Sequence, residues 1–174
     1  YLRAFDAEDG SPVFKFLHEL QFDRYYAPTF HERDVYVPGG AYGGLFRLDA
    51  YSGAQHWFTT LPDQDKWTPA VDGDSVYAYF GGRTPGLYVK DRLLGVPANY
   101  FVPDANFNPL YYDLDLAPVV GRDGVVFVIQ GGRLLCLDPG AGTIRWERSS
   151  SYSGQPSLAH GLVYAVDGRR LRQG

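Results

Sequence analysis

A five-residue turn recurs four times in this 174-residue chain and constrains what it can fold into. Asp6 to Gly10, Asp49 to Gly53, Asp91 to Gly95 and Asp138 to Gly142 all read Asp-x-x-x-Gly, with the aspartates 43, 42 and 47 residues apart. In three of the four units a large aromatic follows the glycine by four residues: Phe14, Trp57 and Trp146. The remaining unit has Asn99 at that place and Tyr100 beside it. A second mark runs half a unit out of phase. Pro28, Pro69, Pro118 and Pro156, spaced 41, 49 and 38 residues apart, each open a short segment that leads into a run such as Val35-Tyr36-Val37 or Val76-Tyr77-Ala78. Two marks with one period in the forties, joined by short strand-like segments, define a four-stranded propeller blade.

One unit can be read in order. Strand A begins at the proline, which a strand tolerates at its first residue because no ladder donor is needed there. A polar turn such as Asp72-Gly73-Asp74 leads to strand B, rich in the Val and Tyr that suit a buried pleated strand. A glycine hairpin (Gly39-Gly40, Gly81-Gly82, Gly131-Gly132) turns into strand C, which ends at the aspartate. The carboxylate can accept backbone N–H bonds and the glycine supplies positive φ, so the chain reverses into strand D and its aromatic. Asp6, Gly10, Asp49, Gly53, Trp57, Asp91, Gly95, Asp138, Gly142 and Trp146 are therefore structural by position. The 21 glycines and 12 prolines are spread too regularly for a long helix, so the chain reads as all-β. The units divide into a partial blade at 1–16, blades at 27–60, 68–102 and 117–149, and a partial blade at 156–174, about four blades in all. Propellers run from four blades upward, and this amount of chain is expected to be part of a ring of seven or eight. The alternatives are closure of four blades by the chain's own halves, or two copies completing eight. Trp57 and Trp146 are expected to be buried between adjacent blades.

The pattern Leu-x-x-Leu-Asp-x-x-x-Gly-x-x-x-Trp, seen from Leu45 to Trp57 and from Leu134 to Trp146, resembles the pyrroloquinoline-quinone (PQQ)-type propeller repeat. Leu2 to Phe14 matches with Phe for Trp, and Leu87 to Asn99 keeps the Asp and the Gly. The resemblance implies a fold more than a function. The repeat occurs in quinoprotein dehydrogenases, in the propeller lipoprotein of the outer-membrane protein assembly machinery, and in binding or sensor domains. It also implies an extracytoplasmic setting: periplasm, secretory lumen or cell surface. The dehydrogenases of this family carry adjacent cysteines above PQQ and calcium, whereas this chain has a single cysteine, Cys136, in an apolar strand C.

Composition and motifs exclude several classes. The net charge of −4 with both signs mixed offers no nucleic-acid footprint, and no apolar run spans a bilayer or reads as a signal or lipidation motif. His18, His31, His56 and His160 form no metal-binding spacing and read as surface residues, with His31 and His160 in equivalent A–B turns. The Asp63/Asp65, Asp72/Asp74 and Asp113/Asp115 pairs lack the rest of a calcium loop. No catalytic or metal residue is assigned, and PQQ and calcium enter only with the dehydrogenase alternative. What remains is a scaffold for a protein or peptide partner, or for further blades of the same ring or a second copy. The A–B and C–D turns are uniform, whereas the D–A and B–C connections vary and carry Tyr25, Tyr26, Tyr42, Trp67, Arg83, Tyr111 and Tyr112. Tyr, Trp and Arg dominate interface hot spots, and variable loops on a rigid scaffold hold function, so this face is the expected binding surface. The competing reading of Tyr26, Trp67 and Tyr112 is that they plug the central channel or fill gaps between blades.

Overall fold

The computed structural model describes residues 1–19, 27–40, 43–61, 67–108 and 117–168. Among these, the strands form five antiparallel sheets. A half-blade is made of β1 (Leu2–Phe5) and β2 (Pro12–Phe16). Blade 1 holds β3 (Thr29–His31), β4 (Asp34–Pro38), β5 (Gly44–Asp49) and β6 (Gln55–Thr60). Blade 2 holds β7 (Ala70–Asp72), β8 (Ser75–Phe80), β9 (Gly86–Asp91) and β10 (Pro97–Pro103). Blade 3 holds β11 (Val119–Val120), β12 (Val126–Gln130), β13 (Arg133–Asp138) and β14 (Thr143–Ser149), with a 3-10 turn at Arg122–Gly124 before β12. A second half-blade pairs β15 (Tyr152–Ala159) with β16 (Leu162–Asp167). Each four-stranded sheet is a meander in chain order. The chain is all-β, built of propeller blades, and no helix among the described residues is long and apolar enough to cross a membrane.

Burial follows from the meander. The second strand of each blade is covered on both faces, and β8 is buried continuously from Val76 to Phe80. The outermost strands β6 and β14 alternate between partly buried and exposed residues. The main core runs through blades 1, 2 and 3 and includes Tyr36, Leu45, Trp67, Tyr79, Leu87 and Leu135. A smaller cluster of Val125, Phe127 and Cys136 joins blade 3 to the second half-blade through Leu158 and Val163. The two half-blades leave apolar side chains open, including Phe5 and Val13 at one end and Leu162 and Val166 at the other.

The repeated turn is built as its residues dictate. Asp49 Oδ1 accepts the N–H groups of Tyr51 and Ser52 at 3.1 and 2.8 Å, and Asp91 Oδ1 those of Leu93 and Leu94 at 2.9 and 2.8 Å. The closing glycines have φ of 73°, 71°, 70° and 68° at Gly10, Gly53, Gly95 and Gly142. Gly53 and Gly95 carry a second constraint, because the aromatic of the preceding unit lies on the turn glycine; a Cβ at Gly10 would have open space, and one at Gly142 would meet only the Phe101 carbonyl at 3.6 Å. A Cβ at Gly53 would stand 2.5 Å from the Phe14 ring, and one at Gly95 would stand 2.6 Å from the Trp57 ring. Trp57 also donates from Nε1 to the Arg92 carbonyl at 3.1 Å. Trp57 and Trp146 are half-buried rather than buried, since each ring lies on an outer strand: Trp57 covers Gly95 of the next blade, and Trp146 packs on Phe127 of its own. Gly95→Ala meets both the left-handed backbone and the Trp57 ring. It is expected to cost more than about 1 kcal/mol in urea unfolding. The same change at Gly73, also at positive φ but with open space around it, separates the backbone cost from the collision.

Backbone bonds define two faces. Ala50 N–H bonds the Arg33 carbonyl and Arg92 N–H the Asp74 carbonyl, each at 2.8 Å, so C–D turns sit beside A–B turns. Asp104 N–H bonds the Pro85 carbonyl at 2.9 Å and Ser150 N–H the Gly132 carbonyl at 3.1 Å, so D–A connections sit beside B–C hairpins on the other face.

Candidate functional site

On the D–A/B–C face, Asp104 follows β10 and reaches across to blade 3. Its side chain is fully buried. Arg133, the first residue of β13, donates to it through two nitrogens: Nη2 to Oδ2 at 2.7 Å and Nη1 to Oδ1 at 3.1 Å. The Tyr79 hydroxyl, at the end of β8, donates to Oδ2 at 2.6 Å. Arg133 also donates to Gln130 Oε1 at 2.8 Å and to Glu147 Oε2 at 3.2 Å. Gln130 in turn bonds the backbone of Asn108, accepting at 3.1 Å and donating at 2.8 Å. Burial pushes the Asp104 carboxyl up, but the Arg133 guanidinium and the Tyr79 hydroxyl outweigh it and hold the group below the usual aspartate range. Burial, reinforced by the neighbouring Asp104 charge, pushes the Tyr79 hydroxyl well above its ordinary value, so it remains a donor. The network ties the start of the long D–A connection of blade 2 to the B–C hairpin and outer strand of blade 3.

A second cluster underlies the opposite face. Asp34, buried at the start of β4, stands 2.9 Å from Arg47 Nη2 and 3.4 Å from Arg92 Nη1, and accepts the Tyr36 hydroxyl at 3.3 Å. His56 Nε2 is 3.5 Å from its other oxygen, and Arg92 also reaches Glu32 at 3.1 Å. Burial first, then the Asp34 charge, pushes the Tyr36 hydroxyl up to about 12. Arg47 belongs to blade 1 and Arg92 to the C–D turn of blade 2, so this cluster also bridges blades. In both clusters the charges are matched within the protein, which is the arrangement of a brace.

The single cysteine is buried in β13, and desolvation pushes its thiol up, away from the thiolate that a nucleophile needs. The inner strands meet around a cavity of about 20 Å³ lined by Tyr79, Ala117, Pro118, Val128, Gln155 and Pro156. That volume accommodates one water. With no cationic side chain in its lining, it does not fit a tricyclic quinone bearing carboxylates. No cluster of three or more metal-ligating side chains occurs among the described residues.

Of the side chains expected to make a binding surface, Tyr25, Tyr26, Tyr42, Tyr111 and Tyr112 lie outside the described residues. Arg83 is exposed on the B–C hairpin of blade 2. Trp67 is 2% exposed and packs against Phe80 at a centroid distance of 5.6 Å. It is thus part of the buried core beside blade 2 and not an exposed side chain. Among the histidines, His18 departs from the surface reading: it is buried, with Nδ1 3.3 Å from the Pro38 carbonyl. His160 takes the place of Glu32 rather than of His31, since both occupy the positive-φ corner of their A–B turns. The Asp104 and Asp34 clusters were not singled out from sequence. Asp104 lies outside the repeated motif, and the only hint for Arg133 is its position directly after Gly131-Gly132.

Comparison with known proteins agrees with this architecture. No curated protein matches the sequence. Among solved structures, BamB from Moraxella catarrhalis matches with a TM-score of 0.58 at 21% identity, covering 76% of this chain and 39% of that one. A europium-containing methanol dehydrogenase matches with a TM-score of 0.54 at 12% identity, covering 72% of this chain and 33% of that one. The chain thus spans well under half the length of either structure. Identities this low establish the fold alone. The family described as outer membrane protein assembly factor BamB matches over residues 1–93 and 106–173, nearly the whole chain, and the chain belongs to that PQQ-type propeller family.

Proposed function

We propose that this chain is part of a non-catalytic propeller scaffold that binds a protein or peptide partner through its D–A/B–C face. The observation that carries this reading is the buried Asp104–Arg133 network, which gives the loops of that face a rigid base spanning two blades. Loops held on a rigid base lose less freedom on binding, so more of the contact energy appears as affinity. The named relative is an assembly factor, in keeping with a protein partner. The exposed Arg83 supplies an anchor of the type that interfaces favour. The apolar side chains open on the half-blades suit contact with further blades of the same ring or with a second copy. An extracytoplasmic location goes with the family. The dehydrogenase alternative shares the fold but gains no seat for PQQ from the described cavity.

The test is site-specific photocrosslinking in the host from position 83, with Tyr25→Ala and Tyr111→Ala as companion variants. The expected result is a discrete protein adduct from position 83, lost or reduced several-fold in the alanine variants at unchanged melting temperature. Adducts that form only from position 72, on the opposite face, would refute the assigned surface. A quinone absorption band in the purified protein would establish the enzyme instead.

A further inference from the structure

The four Asp-x-x-x-Gly turns act as internal controls for one another. Their third and fourth positions are Glu8-Asp9, Tyr51-Ser52, Leu93-Leu94 and Gly140-Ala141. The turn uses the backbone N–H groups at these positions, as the bonds to Asp49 and Asp91 show. In blade 1 the Ser52 hydroxyl adds a bond to Asp49 Oδ1 at 2.8 Å, whereas a leucine side chain has no such bond to give. The fold therefore does not require leucine in blade 2. Both leucines are nevertheless on the surface, 53% and 67% exposed, with Val96 beside them at 49%. Two adjacent exposed leucines at a turn tip are costly to solubility, which makes them informative.

The tip is also held more firmly than a surface turn requires. Asp91 binds its N–H groups from within, and Arg92 N–H bonds the Asp74 carbonyl. From blade 1, Arg47 Nη1 donates to the Leu93 carbonyl at 3.0 Å, and Trp57 covers Gly95 and donates to the Arg92 carbonyl. A fixed apolar tip presents its side chains with little conformational entropy left to lose.

The charges around it specify the partner. The A–B turn of blade 2 places Asp72 and Asp74 in solvent, whereas Glu32 of blade 1 is already paired with Arg92. Of the cations nearby, Arg47 and Arg92 lie against Asp34, and Arg33 is drawn toward blade 1, 5.2 Å from the Tyr51 ring centroid and close enough to act by its charge on Asp49. The exposed field is acidic, so it attracts a basic segment and repels an anionic lipid surface. We propose that the A–B/C–D face of blades 1 and 2 is a second docking surface for a basic polypeptide segment carrying an apolar anchor. Leu93 and Leu94 meet the anchor, while Asp72 and Asp74 meet Lys or Arg side chains. This surface is on the opposite side from the one proposed above and does not depend on it.

The probe is a fluorescent amphipathic Leu/Lys peptide, with a Leu/Glu peptide of the same pattern and phosphatidylglycerol vesicles as comparisons. Binding of the Leu/Lys peptide to the intact protein should weaken about tenfold or more in Leu93→Ser/Leu94→Ser, since buried leucine side chains each contribute affinity on that scale. It should weaken several-fold in Asp72→Asn/Asp74→Asn and with rising salt. Arg83→Ala, on the other face, should leave it unchanged. Melting temperatures verify that each variant is folded, which the serine substitutions permit because the turn bonds come from the backbone. Equal binding of the Leu/Glu peptide, or undiminished binding of the Leu/Lys peptide by the folded serine variant, overturns the proposal. So does Leu93-dependent capture of the vesicles without the peptide, which would identify a membrane surface.

Discussion

Replacing Asp104 by Ala should lower the unfolding free energy by about 3–5 kcal/mol, the cost of leaving the other member of a buried ion pair uncompensated. Arg133 would lose both bonds to the carboxylate and keep only Gln130 and Glu147, while the Tyr79 hydroxyl would lose its acceptor. The damage should not be confined to one blade, because Asp104 leaves the last strand of blade 2 and Arg133 begins the third strand of blade 3. Arg133→Met alone should cost a similar amount, since it strands a buried carboxylate. The paired change Asp104→Leu with Arg133→Met should recover most of the loss, because an apolar pair of similar volume is often as stable as the ion pair it replaces. Urea unfolding followed by tryptophan fluorescence measures all three. Single changes costing under about 1 kcal/mol would show that the brace does not carry the inter-blade contact.

The same network should shape the pH dependence. The folded-state pKa of Asp104 lies below its unfolded value, so its contribution is complete above about 3.9 and is lost as pH falls through the lower folded value. Tyr79 is displaced the other way: its folded pKa is raised, so its contribution is complete below about 10 and is lost as pH climbs toward the folded value. The network's contribution should therefore be flat through neutrality, and its share of the acid limb should disappear in Asp104→Leu/Arg133→Met.

The repeat made the blades legible because it was written twice, once in the prolines before strand A and once in the Asp-x-x-x-Gly turns. Turn chemistry is local, so Asp91 and Gly95 reveal their roles within five residues of sequence. The inter-blade contacts are not local. Trp57 covers Gly95, but nothing at position 57 says which glycine it will meet. Asp104 and Arg133 lie outside the motif, with 28 residues between them, and meet only because two blades stack. Asp34 illustrates the same limit. It looks like one more acidic turn residue, yet it occupies the register position of Ser75 in blade 2 and gathers two arginines from different blades. A face was inferred from loop variability, but which loop residues point outward depends on packing, as Trp67 shows.

Trp67→Ala should destabilise the protein by about 3–5 kcal/mol, the range for deleting a large aromatic from a core that cannot fully collapse. The residue is 2% exposed and touches Phe80, which stacks on Tyr88 at 4.8 Å with an interplanar angle of 5°, and Tyr88 meets Phe101 at 4.6 Å. Trp67 is thus the inner end of a row of rings crossing blade 2, and its removal leaves the supporting face of Phe80 bare. Trp67→Phe keeps part of the ring contact and should cost markedly less. The effect should appear as a lower urea midpoint with an unchanged slope, because the folded state loses packing and not extent. Partner binding measured on whatever fraction remains folded should stay near its original affinity, unlike that of Tyr25→Ala or Tyr111→Ala. Weakened binding in a Trp67→Ala protein of undiminished stability would place Trp67 at the interface and reverse the assignment to the core.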